Sequence, residues 1–316
     1  MSAKFLEGVG GKLAEQWVAT LFTPAFIFWM GGVLAYVTRY GWEPIAKVFP
    51  DAKLEALQIA VLAGISILIY ISALIVQRFD VEILRGLEGY WYPGLRDLLR
   101  PLLNCMTQRQ IDRYKQLNKR RKPLSQKRLR DPSSLSLQER AELVRYDRAI
   151  RQFPTEENDF LPTRLGNLLR AAERRPNDRY GLDAIICWPR LWLLLPDSAK
   201  KELQDARAQL NNGVRVFAWS LLFLVWSVWA LWVIPIAIVS TCFAYSWIWD
   251  SAELYGDLIE SAFDLYRGSL YQSLRLPLPT TAQEEKVLGQ QITEYLYRGS
   301  LSAELKFLPT QDKTHS

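Results

Sequence analysis

Residues 216–249 read VFAWSLLFLVWSVWALWVIPIAIVSTCFAYSWIW, thirty-four positions without one charged side chain. A single straight helix of that length would rise roughly 51 Å, well beyond the ~30 Å hydrocarbon core of a bilayer. The stretch therefore folds back on itself or tilts with part of its length in the interface. Pro235 stands near the midpoint, so Val233-Ile234-Pro235 is the expected turn, leaving two arms of about sixteen residues, each ~24 Å long. Arms that short enter as a deep re-entrant hairpin or are completed by the flanking residues 211–215 and 250–254. One tilted, Pro-kinked span is the other arrangement. Trp219, Trp247 and Trp249 suit an interfacial belt. Trp226, Trp229 and Trp232, at spacings of three, describe a slowly rotating stripe suited to packing on another helix or a second subunit. With Pro235 these three are the candidate membrane-packing residues.

Toward the N-terminus lie two more apolar runs. Residues 17–38 carry no charge, and Leu57–Val76 is almost wholly aliphatic. The first run is too long for the apolar part of a cleavable leader and lacks a small-residue cleavage pattern after it, so it is expected in the mature chain. Between the runs, residues 39–56 hold three basic and three acidic side chains with Pro44 and Pro50, the composition of a short neutral external loop. The fold class expected is an all-α integral membrane protein, with four transmembrane helices as two hairpins, a helical cytoplasmic domain between them and a helical C-terminal tail. The corresponding segments are 1–16, 17–77, 78–215, 216–249 and 250–316.

Charge sets the expected orientation. Residues 78–215 contain twenty-eight Lys/Arg against eighteen Asp/Glu. Arg78, Arg85, Arg96 and Arg100 follow the second run closely, which places the middle of the chain in the cytoplasm. The N-terminus is then cytoplasmic, and the C-terminus too if 216–249 is a hairpin. Residues 109–130 hold ten bases against one acid. Lys119, Arg120, Arg121, Lys122, Lys127, Arg128 and Arg130 are the candidate residues for anionic lipid headgroups or a cytoplasmic protein partner, an anionic leaflet attracting each by about 1 kcal/mol. Tyr114 is the one aromatic there, a poor base-stacking platform, which argues against nucleic acid.

Within the middle, Tyr90-Trp91-Tyr92-Pro93-Gly94 resembles an interfacial corner. Leu95, Leu98, Leu99 and Leu102 then share a helical face opposite Arg96 and Arg100, a helix lying on the membrane surface or packed on the protein's own helices. Ser136 to Glu139 is a capping box opening a helix to about Phe153. A helix from about Thr163 should stop near Arg175, ahead of Pro176. Ala184–Cys187 is compact and apolar enough to suggest a strand, inside a segment, 184–196, expected in a core or at the interface. Asp197-Ser198 opens a polar helix. Ala252–Leu274 reads as a long helix whose acids Glu253, Asp257, Glu260 and Asp264 form a solvated row for arginines such as Arg164, Arg170 or Arg174. Thr281 to Glu284 is a second capping box, starting a terminal helix to about Arg298.

Motifs for chemistry are missing. Cys105, Cys187 and Cys242 are too scattered for a disulfide framework or zinc site. The single histidine, His315, is penultimate. Gly8-Val9-Gly10-Gly11-Lys12 lacks the Ser/Thr a phosphate loop needs, since Leu13 follows the lysine. The apolar runs contain no ionisable residue of the kind ion-coupled carriers use. The expectation is a non-enzymatic chain without metal or cofactor, a non-conducting membrane-anchored scaffold or adaptor with a basic recruitment surface. Its partners would be the bilayer, anionic headgroups, a cytoplasmic protein and further copies of itself. The alternative is a subunit of an oligomeric pore gated by its cytoplasmic domain.

Overall fold

The computed structural model describes residues 23–46, 55–299, 305, 307 and 308. The expected cytoplasmic segment 1–16, the Gly8–Leu13 motif, the start of the first apolar run at Trp17, the centre of the first loop and His315 lie outside the described residues. The described chain is helical, with no strand. In order come α1 (Pro24–Tyr40), a turn of helix at Glu43–Ala46, α2 (Glu55–Arg78), α3 (Asp80–Glu88), α4 (Pro93–Leu98), α5 (Arg100–Arg130), α6 (Leu137–Arg151), α7 (Arg164–Tyr180), α8 (Ala184–Leu194), α9 (Asp197–Phe223), α10 (Val233–Ser273) and α11 (Ala282–Arg298). Two compact units result, one from Met1–Leu84 with Gln209–Ile248, the other from Arg85–Ala208 with Trp249–Ser316.

In the first unit α1 is N-capped by Thr23, whose hydroxyl accepts from the Phe26 amide (3.3 Å), and Pro24 occupies the first turn, where a missing N–H costs nothing. Among the described residues two helices are long and apolar enough to cross a membrane: Ala60–Arg78, and α10 through its apolar N-terminal part. Only 11% of the first is buried, which is the reverse of a soluble core helix. The expected four spans therefore rest on two helices of spanning length among the described residues. The helix α1 has 17 residues, and α9 gives way to a 3₁₀ segment, Leu224–Val228, eight residues into the uncharged run.

That segment relocates the expected turn. Chain reversal falls at 229–232, and Val233 already begins α10. Pro235 lies exposed in the first turn of α10, where it has no hydrogen bond to forfeit. The two arms do fold back on one another: a β-carbon added at Gly213 would sit 3.0 Å from the Ile248 side chain.

In the second unit the core gathers Leu182, Cys187, Leu191, Leu203, Phe263, Leu270, Tyr271, Leu276 and Ile292 from α8, α9, α10, α11 and their connections. Ala184–Cys187 is not a strand. Asp183 caps a helix there, accepting from the Ile186 amide (3.1 Å), and Ala184, Cys187, Leu191 and Leu195 fall on one buried face. Pro176 does not stop α7, which continues to Tyr180 and ends where Gly181 turns left-handed (φ 72°). Any side chain at Gly181 would meet the Lys286 carbonyl at 2.2 Å, so the same glycine ends one helix and admits another.

Candidate functional site

The basic cluster lies on α5, a helix of 31 residues that rises about 46 Å. Its polypeptide reverses through the 3₁₀ turn Pro132–Ser134, where the Asp131 carboxylate accepts from the Ser133 amide (2.8 Å). The capping box at Ser136 and Glu139 then opens α6, both of its hydrogen bonds formed. α6 returns antiparallel along α5: Lys127 meets Glu139 (2.8 Å), and Arg121 meets Asp147 farther back. Tyr114 packs on Phe153 and Phe160, and Lys115 pairs with Glu157 (3.0 Å). Two of the seven candidates, Arg121 and Lys127, thus hold the hairpin together. Lys119, Arg120, Lys122, Arg128 and Arg130 are exposed and make no ion pair among the described residues.

The acidic row on α10 has partners other than those expected. Arg148 and Arg151 of α6 meet Glu253 (3.2 Å) and Asp257 (3.0 Å). Glu260 is buried and accepts from three guanidinium groups, Arg151 (2.8 Å), Arg175 (2.6 Å) and Arg179 (2.8 Å). Tyr180 donates to Asp264 (2.6 Å). Arg170 and Arg174 bind Asp159 instead (3.0 and 2.7 Å), and Arg164 lies over the Trp249 ring, 4.8 Å from its centroid. Beside the ladder a cleft of about 680 Å³ is lined by Arg148, Arg151 and Arg175 together with Asp147, Asp250, Glu253 and Asp257. Opposite charges face each other along its walls, paired as Arg148 with Glu253 and Arg151 with Asp257. No group of His, Cys, Asp and Glu among the described residues is placed to hold a metal ion.

One carboxyl was not singled out by its sequence. Burial, with the nearby charge of Glu173, pushes Glu88 up to about 7, against the opposing charges of Arg207 and Arg85. Glu88 ends α3 at a crowded corner. Its carbonyl accepts from the Thr163 hydroxyl (2.9 Å), and a β-carbon on Gly166 would touch that carbonyl oxygen at 2.1 Å.

In the first unit the tryptophans make an aromatic cluster. Phe28 lies 5.0 Å from both Trp219 and Trp226. Trp226 donates to the Phe28 carbonyl (3.1 Å), and Trp29 donates to the Ser72 hydroxyl (3.1 Å). Gly31 and Gly32 make the notch that receives this, since β-carbons there would overlap Phe223 at 2.2 Å and Trp226 at 2.5 Å. Trp226 and Trp229 stack at 5.0 Å with ring planes 24° apart, and Trp232 packs at the cluster's edge. Trp226 lies in the 3₁₀ segment and Trp229 caps it, three residues on, where residues i and i+3 eclipse. The stripe packs within its own chain. Sequence also gave no sign of the pair between Arg215 and Asp80, whose buried carboxylate receives two guanidinium nitrogens (2.6 and 2.9 Å).

No family model matches the chain, and neither a curated protein nor a solved structure matches it.

Proposed function

We propose that this chain is a multi-pass, non-conducting membrane scaffold, its two apolar hairpins seated in the bilayer and its basic α5 surface presented on the cytoplasmic side to an anionic partner. The observation that carries the reading is the division of labour within the basic cluster of α5: Arg121 and Lys127 are tied to α6, and Lys119, Arg120, Lys122, Arg128 and Arg130 have no carboxylate partner among the described residues. Nothing in folding the hairpin requires those five, and the nearest polyanion for a membrane-bound chain is its own leaflet, at about 1 kcal/mol per side chain. Membrane residence is supported by side chains such as Ile67, Tyr70 and Ile75 of α2 and Val239 of α10, all exposed. Exposed apolar surface on that scale in water would drive aggregation.

The test uses the full chain in proteoliposomes, with the exposed Cys105 and Cys242 replaced by serine and Gln126→Cys carrying an environment-sensitive dye. Adding phosphatidylserine to a phosphatidylcholine bilayer should shift the dye to a less polar environment, and high salt should reverse the shift. Replacing Lys119, Arg120, Lys122, Arg128 and Arg130 by glutamine should abolish it while insertion is unchanged. A dye insensitive to lipid charge in the parent protein would reject lipid recruitment and leave an acidic protein as the partner to seek. Ion flux should stay at background; flux above it would favour the pore.

A further inference from the structure

Residues 90–102 expose several large apolar side chains of the second unit within one short stretch. Trp91 is tied down, its indole nitrogen donating to the Gly86 carbonyl (2.9 Å). Tyr92, Leu95, Leu98 and Leu102 are 71%, 48%, 75% and 49% exposed. Leu95 and Leu98, three apart, share one face of the short helix α4, with Tyr92 just before it and Leu102 in the first turn of α5. Leu103, one position on, is buried, so α5 has an inner face and Leu102 is not on it, while α4 buries no residue at all. Arg96 and Arg100 flank the stripe, both exposed, with Asp97 the sole acid between Tyr90 and Leu102. Of the two placements open to the face of Leu95, Leu98, Leu99 and Leu102, packing on the protein's own helices is contradicted by the exposure of Leu95, Leu98 and Leu102, Leu99 alone being half-buried.

We infer that α4 and the start of α5 lie in the headgroup layer of the bilayer, with Tyr92, Leu95, Leu98 and Leu102 reaching the acyl boundary and Arg96 and Arg100 at phosphate level. An aromatic head, a leucine stripe and flanking arginines are what an interfacial helix carries. The stripe begins within fifteen residues of Arg78, the end of a helix of spanning length, so the chain brings it to a membrane whenever that helix is in one. Arg96 and Arg100 complement anionic headgroups, and a second protein surface would need acids where this one needs lipid phosphate. The inference rests on the membrane reading above and adds a contact made by the second unit.

The experiment is spin-label accessibility in phosphatidylglycerol-containing proteoliposomes, on the full chain with Cys105 and Cys242 replaced by serine. Single cysteines at Leu95, Arg96, Asp97, Leu98 and Leu102 are compared with a control at Val239 on α10. Oxygen accessibility relative to a water-soluble nickel chelate should peak at 95, 98 and 102, several-fold above Asp97, in variants whose circular dichroism is unchanged. Equal water access at Leu98 and Asp97, with Val239 in lipid, overturns this inference alone. Labels on the stripe shielded from both reagents mean that protein covers it, which also overturns it. Val239 in water overturns the membrane reading itself.

Discussion

Replacing Glu260 by leucine removes the one carboxylate that three arginines share. Its side chain is 6% exposed, and those of Arg151 and Arg179 are 52% and 49% exposed. Arg151 and Arg179 keep Asp257 and Asp264 as partners and regain water, so their losses are small. Arg175, at 15%, has no such recourse; its remaining partner is the Arg151 carbonyl. The cost is that of breaking a buried pair and stranding one charge, about 3–5 kcal/mol. For a unit of this size that lowers the melting temperature by on the order of 10 °C. Thermal unfolding of the detergent-solubilised chain, followed by far-ultraviolet circular dichroism, is the assay. Adding Arg175→Leu to Glu260→Leu removes the stranded charge and should recover more than half of the loss. A single variant that melts within about 1 kcal/mol of the parent would refute the argument. So would a double variant no better than the single.

Glu88→Gln tests the raised carboxyl. Its folded value of about 7 exceeds the ordinary 4.5, so its contribution to stability is full below pH 4.5 and is lost as pH rises through 7, a change of roughly 3 kcal/mol. The variant should therefore melt higher than the parent above pH 7 and match it at pH 4.5, and an equal gain at both would reject the assignment. Gly32→Ala should cost about 1–3 kcal/mol by overpacking. It should also red-shift tryptophan emission as Trp226 leaves its notch, and unaltered emission would speak against the close approach. Arg215→Ala should cost more than Asp80→Ala, about 3–5 kcal/mol, because it leaves the more buried partner charged, whereas Arg215 is 30% exposed and reaches water. The reverse order in thermal melts would show that the buried carboxylate is not what needs the partner.

Helix starts were legible wherever one side chain satisfies a backbone amide three residues on. Ser136 with Glu139 forms both halves of its box, whereas at the second site Thr281 caps Glu284 but the Glu284 carboxylate turns to the amide and hydroxyl of Thr280. Helix ends were less legible. Pro176 removes one hydrogen bond, but α7 persists because Pro176 is itself buried and Gly181 supplies the cap. The helical period at 184, 187, 191 and 195 was present in the sequence, obscured by the compact apolar run at its start. The arginine partners of α10 could not be read locally. A β-carbon added at Gly256 would sit 3.0 Å from that of Ala172, and this close approach turns the Ala172–Arg175–Arg179 face of α7 toward the acids and carries Arg170 and Arg174 round to Asp159. That choice belongs to packing. The spacing of Trp226, Trp229 and Trp232 was visible, but it reads as a drifting stripe only on a continuous α-helix, whereas here the helix ends at Phe223 and the three fall in a 3₁₀ segment and the turn after it.

The pair between Asp80 and Arg215 joins positions 135 residues apart. A ribosome adding 5–20 residues per second needs roughly 7–27 s to go from one to the other. Throughout that interval the first apolar hairpin has left the ribosome without its arginine, and the Gly31-Gly32 notch is open because Trp226 has yet to be made. The first hairpin is thus synthesised as an incomplete template, and the last apolar stretch arrives as its matched insert. Between those two events the basic segment is translated, but the core of the second unit still awaits Phe263, Tyr271 and Ile292, so the order of synthesis completes the first unit before the second.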